Sequence, residues 1–526
     1  MMFLSRCSQC GASQGPDRLE LDVAGPGTRH HILLNSNEAP VESEVAVIRA
    51  ELTTSDARLV FLDNEIARLR GQLEQLQEQR TSVWSYRAQN CSILSGLRRI
   101  PPEILGYIFS WTLPAIGELL PATESRLTKS PWVLSHVSCY WRAVALSDAS
   151  LWSLVTVTYD DPRPHDPLSM VETQVGRAQT LKVHFYGCET FDHQPQVEMF
   201  LYLARYAPQW EELSVGLTPH LVPLLGILRD RVPLLRRFYV QWQSDSGSTV
   251  IPLECFQNAP SLLEARVFSD FRYIPVPFPA HQLTQYQLDF PWETHATILK
   301  EAVNLIEARI FVDFQNTEDW RNSRAVLDLT CLRRLFISHP EILEFLRVPV
   351  LEEITIDFDE GAGPEILRDL QLVVSRSSCI LRRLCLWGFD LWTTTEILRQ
   401  FPSIVEFPII ATTHSGGELA ETLMKRLTVH TDSGSEVMAP QLRCLSFACE
   451  YEAFTNHPIY MDMVASRWRT GGLKTSELLV DSGPLPDADV RKSIAVLCEE
   501  GLDLVFLEGK DAESAIAGWT FHATWN

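Results

Sequence analysis

Three groups of residues have the types and spacing that chemistry requires. Cys7-x-x-Cys10, with His30 and His31 downstream, offers the donor set of a zinc site. Gly11-Ala-Ser13-Gln-Gly15 spells the nucleophile elbow of a serine hydrolase. Asp245-Ser-Gly247, Asp432-Ser-Gly434 and Asp481-Ser-Gly483 have the look of aspartic-protease loops. Each pattern works only on a particular scaffold. A zinc finger needs its second ligand pair at a finger-like spacing, and two adjacent histidines far downstream fit that poorly. A nucleophile elbow needs a strand before its strained turn. Residues 1–43 instead carry Gly11, Gly15, Pro16, Gly25, Pro26, Gly27 and Pro40 without sustained periodicity, and read as a disordered tail. The Asp-Ser-Gly tripeptides read as turns. No phosphate-binding loop, dinucleotide fingerprint or His-Glu-x-x-His helix occurs. The expectation is a chain without metal, cofactor or catalysis of its own.

Composition narrows the partners. Across 526 residues, 45 Lys+Arg oppose 67 Asp+Glu, a formal charge of −22. Nucleic-acid binding would need clustered Lys and Arg, so it is not expected. With 45% hydrophobic and 10% aromatic residues the chain can bury a sizeable core. The 12 cysteines are scattered rather than framed for disulfides. No run of 18 or more apolar residues indicates a membrane span, and Met1–Leu4 is too short for a signal core of ~7–15 residues. An intracellular protein, cytoplasmic and/or nuclear, follows as the expectation.

Residues 44–88 predict a coiled-coil-like helix. Val45, Leu52, Leu59, Ile66, Leu73 and Arg80 recur every seventh residue, as do Ile48, Ser55, Leu62, Leu69, Leu76 and Val83. All but Ser55 and Arg80 are apolar, which is a heptad seam. Its centre is Leu52, Leu59, Leu62, Ile66, Leu69, Leu73 and Leu76. Gly71 falls on the outward position. In a parallel pair Arg58 would face Asp63 and Glu65 would face Arg70, both attractive, whereas Glu51 would face Asp56. Two readings stand: a homodimer through residues 45–83, or one long helix packed on its own chain.

Residues 93–155 hold the most specific signal. Ile100-Pro101-Pro102-Glu103-Ile104-Leu105 leads to Ile108-Phe109, with proline and an acidic residue in a helical first turn. Ser130-Pro131 opens a second helix through Trp132, Leu134, Val137, Trp141 and Val144. The segment resembles the F-box, a small helical domain that docks on the adaptor subunit of SCF-type ubiquitin ligases. Ile100–Ile104 through Ile108-Phe109 matches its opening motif, with Ile for the first Leu, and Val137-Ser-Cys139-Tyr-Trp141-Arg142 matches its second half with Ser and Cys shuffled. Residues 113–129 lengthen the loop between, as is familiar among F-box-like proteins of mushroom-forming fungi. The resemblance implies an adaptor-binding or supporting role for Ile100, Pro101, Ile104, Leu105, Ile108, Phe109 and Trp141.

From 156 to 526 one word recurs ten times: apolar-x-x-apolar-x-apolar. It begins at Trp210, Leu235, Leu262, Leu283, Leu305, Leu332, Leu351, Leu381, Ile404 and Leu442. Its last apolar positions alternate as a strand requires, and helical text fills several intervals. Strand plus helix at a spacing of roughly 20–30 residues is the leucine-rich-repeat signature, here degenerate. The rival is a plain α/β domain with irregular strands.

The predicted fold is therefore α/β: a long coiled-coil-like helix, a small F-box-like domain, and a curved leucine-rich-repeat-like solenoid. Residues alternating with the inward ones would line the solenoid's concave side, among them Arg237, Tyr239, Arg334, Phe336 and Arg383, the candidate target-binding residues. The expected function is a non-catalytic substrate receptor that links a target protein to the ligase through the adaptor. The alternative is a repeat scaffold for protein–protein interaction without a ligase.

Overall fold

The computed structural model describes residues 25–113, 131–159, 168–242, 254–269, 275–312, 325–357, 363–388, 390–411, 416–430, 437–454, 456–482 and 486–519. Cys7, Cys10, the Gly11–Gly15 pattern, Asp245–Gly247 and Asp432–Gly434 lie outside them. The chain divides into two units, Met1–Ile100 and Pro101–Asn526.

The first unit holds a short helix, Arg29–Leu34, inside the segment expected to be a tail, and a helix of 52 residues, Glu42–Ile93. The long helix starts slightly earlier than the heptads alone predict. The Glu44 carboxylate accepts from the Val41 N–H at 2.9 Å, satisfying one of the free donors of the first turn. It also runs beyond residue 88, because nothing up to Ile93 interrupts it. Gly96 and Pro101 lie just past its end. None of its residues is buried.

Among the described residues the second unit opens with the helices Pro102–Ser110, Trp132–Val137 and Cys139–Ser147, followed by a 3-10 turn at Ala149–Trp152. A 14-stranded sheet follows, every neighbouring pair parallel, with strand order equal to chain order. Its strands are Leu154–Thr158, Leu181–Tyr186, Trp210–Leu217, Arg237–Trp242, Glu264–Ser269, Gln285–Asp289 and Glu307–Phe311. They continue as Arg334–Ile337, Glu353–Asp357, Arg383–Trp387, Glu406–Ala411, Cys444–Ala453, Thr475–Ser482 and Asp503–Glu508. A two-stranded side ladder pairs Leu327–Asp328 with Leu346–Arg347.

All ten predicted words fall on strands of this sheet, and the structure explains why. The leading residue of most words closes a tight turn on a buried residue three positions earlier. Leu235 N donates to Val232 O, Leu262 to Ala259, Leu283 to Ala280, Leu305 to Ala302, Leu351 to Val348 and Leu442 to Ala439, at 3.1–3.3 Å. Proline often follows that earlier residue, as in Val232-Pro, Ala259-Pro, Val348-Pro and Ala439-Pro, where its fixed φ suits the first turn position. Each turn then joins the next. The Arg236 carbonyl accepts from Leu263 and Glu264, and the Arg382 carbonyl from Val405 and Glu406. Four strands lie outside the ten words: Leu154–Thr158, Leu181–Tyr186, Thr475–Ser482 and Asp503–Glu508.

Successive side chains of a strand point to opposite faces. One face of the sheet carries Leu213, Val215, Phe238, Val240, Leu335, Ile337, Leu384 and Leu386, all buried in one continuous core. Apolar residues of the helices Leu168–Arg177, His193–Ala204, Trp292–Glu301, Gly363–Ser377, Leu391–Gln400, Gly416–Leu427, His457–Arg469 and Ala488–Glu499 fill the same core. The last helix, Gly509–Trp519, differs. Its Ala512, Ile516 and Trp519 pack in a second cluster with Cys385, Ile410, Ala448 and Leu479, from the sheet's other face. Gly509, with φ +56°, makes the reversal directly after the final strand, a conformation that costs glycine little.

Candidate functional site

The helix Pro102–Ser110 has two apolar faces. Leu105, Gly106 and Phe109 are buried. Phe109 lies against Trp141 with centroids 4.9 Å apart, and Val144 and Ala145 of the following helix are buried with them. Beneath that layer Trp152 donates its indole N–H to the Ala145 carbonyl at 2.7 Å and meets Trp132 edge-on at 5.0 Å. The Arg177 guanidinium stacks over both tryptophans, at 4.2 and 5.1 Å. The module's core is thus filled from within and tied to the first part of the sheet domain.

The opposite face is open. Ile104 is 53% exposed, Ile108 43% and Trp111, just past the helix, 75%, with Tyr107 exposed between them. These residues are spaced i, i+3, i+4 and i+7, one stripe of a helix. Tyr107 and Trp111 touch edge to face at 5.7 Å. Val133, Val137 and Tyr140 are exposed on the two helices that follow. Clustered exposed apolar residues are a general feature of association surfaces.

Of the residues expected on this surface, Ile104 and Ile108 are there, and Pro101 is exposed. Leu105 and Phe109 are core, and Trp141 is half-buried against Phe109. Ile100, at the end of the first unit, is half-buried. Tyr107 and Trp111 were missed. Helical spacing from Ile104 finds both, but the motif match draws attention to the residues that build the module instead.

The sheet face away from the eight helices carries a row of alternating charge. In register, strand by strand, stand Lys182, Glu212, Arg237, Glu264, Gln285, Glu307, Arg334, Glu353, Arg383 and Glu406. Neighbouring strands are about 4.8 Å apart, so opposite charges sit side by side and like charges two strands apart. Arg237 pairs with Glu212 at 2.9 Å, Arg334 with Glu307 at 2.7 Å and Arg383 with Glu353 at 4.0 Å. Glu212 is fully buried. Burial disfavours its charge, but His184 at 2.6 Å, followed by Arg237 and Lys182, outweighs that and holds the carboxyl below its usual range. Burial pushes Glu264 and Glu307 up despite the flanking arginines.

The next row brings Tyr239, Arg266, Gln287, Arg309, Phe336, Thr355 and Cys385 together. Arg309 sits over the Phe336 ring at 4.5 Å and the Phe311 ring at 5.2 Å. Burial, then neighbouring Arg266, lowers its pKa to about 9, which leaves it charged at neutral pH. Phe336 is therefore wholly buried, closed in by Arg309, Phe311 and Trp387. The expectation that it offers contact surface is corrected. Arg237, Tyr239, Arg334 and Arg383 are half-buried, and the three arginines lean on carboxylates of their own face.

Further along the strands the same face carries Cys385, Ile410, Ala448 and Leu479, and the helix Gly509–Trp519 covers them. Trp519 donates its indole N–H to Glu477 at 2.7 Å, while its carbonyl accepts from Arg383 at 3.1 Å and Thr355 at 3.3 Å. Nothing in the repeat word announced this helix, because its partners are distant in sequence.

Among the described residues, no three His, Cys, Asp or Glu side chains come together as a metal site, and no helix is long and apolar enough to cross a membrane. The two surfaces differ in chemistry: the first presents exposed apolar side chains, the second fixed and largely paired charges. Compared with known proteins, the chain matches no protein family and no curated relative.

Proposed function

We propose that this chain is the non-catalytic substrate receptor of an SCF-type ubiquitin ligase. The F-box-like module docks on the adaptor, and the sheet domain, as a leucine-rich-repeat-like solenoid, holds the target protein. Tethering raises the effective concentration of target lysines near the charged ubiquitin-conjugating enzyme. No residue of this chain makes or breaks a bond.

The observation that supports this reading best is the exposed stripe of Ile104, Tyr107, Ile108 and Trp111. It lies on the helix that carries the F-box-like motif, over a core that is already complete. A helical hairpin that merely capped the sheet would turn its apolar face inward. The test is co-purification of the full chain with the F-box-binding adaptor, beside Ile104→Asp/Ile108→Asp. The expected result is a complex that the variant loses. A folded wild-type chain that fails to bind sinks the ligase reading and leaves the scaffold reading, in which the same sheet face binds partners without an adaptor.

A further inference from the structure

We propose that the long helix pairs with the same helix of a second copy of this chain, parallel and in register, from Leu52 to Val83. The helix has no buried residue along its 52 positions. Leu62, the most covered leucine of its seam, is still 41% exposed, and Val83 is 68% exposed. A stripe repeating every seven residues over this length matches one kind of partner surface, another such stripe. A Cβ added at Gly71 meets nothing within 4 Å, as an outward position requires.

The charges beside the seam choose the orientation. In a parallel pair Arg58 faces Asp63 of the other copy and Glu65 faces Arg70, attractive on both sides of the seam. Glu65 also accepts from Arg68 on its own helix. The one like-charged pair on the heptad pattern, Glu51 facing Asp56, is altered by the short preceding helix: His30 Nδ1 lies 3.1 Å from the Glu51 carboxylate. Arg29 binds Glu38 and Glu44 in the same way. Arg29, His30 and Leu33 line a cleft with Val47 and Ile48, so the short helix lies at the first seam residues and pairing begins at Leu52.

Polar seam residues give the same answer. In parallel register Ser55 meets Ser55, and the two Arg80 side chains can extend outward on their long stems. A fully overlapped antiparallel pair instead sets Ser55 against Leu73 and Arg80 against Ile48, which the short helix already flanks. It also places Asp63 opposite Asp63 and Glu65 opposite Glu65. The pairing makes the protein bivalent, and it stands independently of the adaptor reading.

The full chain with Ser55→Cys tests both parts. A Cα separation suited to a disulfide arises at position 55 only when the two copies run parallel in register. Light scattering at micromolar concentration is expected to give twice the chain mass. Mild oxidation is expected to link the copies at position 55, mapped by mass spectrometry apart from exposed Cys91, Cys139, Cys331 and Cys498. Leu62→Glu/Leu69→Glu is expected to halve the mass without moving the melting of the sheet domain. A wild-type monomer, or a dimer that survives Leu62→Glu/Leu69→Glu, overturns the seam. A dimer that forms no link at position 55 overturns the parallel register.

Discussion

The main-chain oxygen of Trp519 accepts a hydrogen bond from Arg383, 3.1 Å away, across 136 positions of sequence. This contact joins the last helix to the middle of the sheet and closes the apolar end of the face on which the charge row runs. Trp519 is the anchor, because its indole is buried against the sheet while its N–H reaches Glu477.

Removing that anchor should loosen the C-terminal helix first. Trp519→Ala is expected to cost about 3 kcal/mol, in the range for a buried tryptophan. Hydrogen exchange should rise in the strands Arg383–Trp387, Cys444–Ala453 and Thr475–Ser482, with little change near Leu154–Thr158. Uniform exchange across the sheet would count against a separately docked helix.

The two faces of the helix Pro102–Ser110 should separate cleanly in unfolding experiments. Ile104→Asp and Trp111→Ala are expected to change stability by under about 1 kcal/mol, as exposed positions do. Leu105→Ala and Phe109→Ala, which empty the core under them, are expected to cost about 3 kcal/mol each. Urea titrations with adaptor pull-downs check this: the first pair should lose binding at native stability.

Glu212 is the buried keystone of the charge row, shared by His184 and Arg237. Glu212→Ala is expected to cost about 3–5 kcal/mol, since it takes the buried counter-charge from Arg237 and the hydrogen-bond partner from buried His184. Glu212→Gln, which keeps the shape, should lose less. Chemical denaturation of both variants at pH 7 measures the difference.

His295 should make stability fall in mild acid. It is completely buried, which pushes its pKa from 6.5 down to about 4. Its Nε2–H donates to the Phe311 carbonyl at 2.9 Å, leaving Nδ1 to accept from the Tyr286 hydroxyl. The unfolded chain takes up a proton below pH 6.5 that the folded chain refuses until about pH 4. Stability is therefore full above pH 6.5 and drains between those values, by about 3 kcal/mol from this group. Comparing the wild type with His295→Gln across pH 7 to 4 isolates it, and parallel pH curves would refute the assignment.

Gly216 should resist any side chain. An added Cβ would lie 3.0 Å from the Tyr186 ring, which crosses over this glycine to bring its hydroxyl 2.7 Å from Ser214. Gly216→Ala is expected to displace that ring and cost about 1–3 kcal/mol, as overpacking does. Tyr186→Phe/Gly216→Ala should add little to the single change, because the ring has already moved.

The local parts of this protein were readable in the sequence because they rest on local physics. Heptads set the long helix, Pro101 and Pro102 with Glu103 set the start of the helix Pro102–Ser110, and the ten apolar words set ten strands. Even the charge row was written there, since the third residue of successive words is Glu212, Arg237, Glu264, Gln285, Glu307, Arg334, Glu353, Arg383 and Glu406. That successive words stand side by side was an expectation of the repeat reading alone, and parallel pairing in chain order turns that list into alternating neighbours. Tertiary structure alone also decided that Phe336 is sealed beneath Arg309, that Leu105 and Phe109 face inward while Tyr107 and Trp111 face out, and that Trp519 returns to Arg383. Each of these depends on a partner far along the chain, and periodicity says which residues share a face but not what that face will meet.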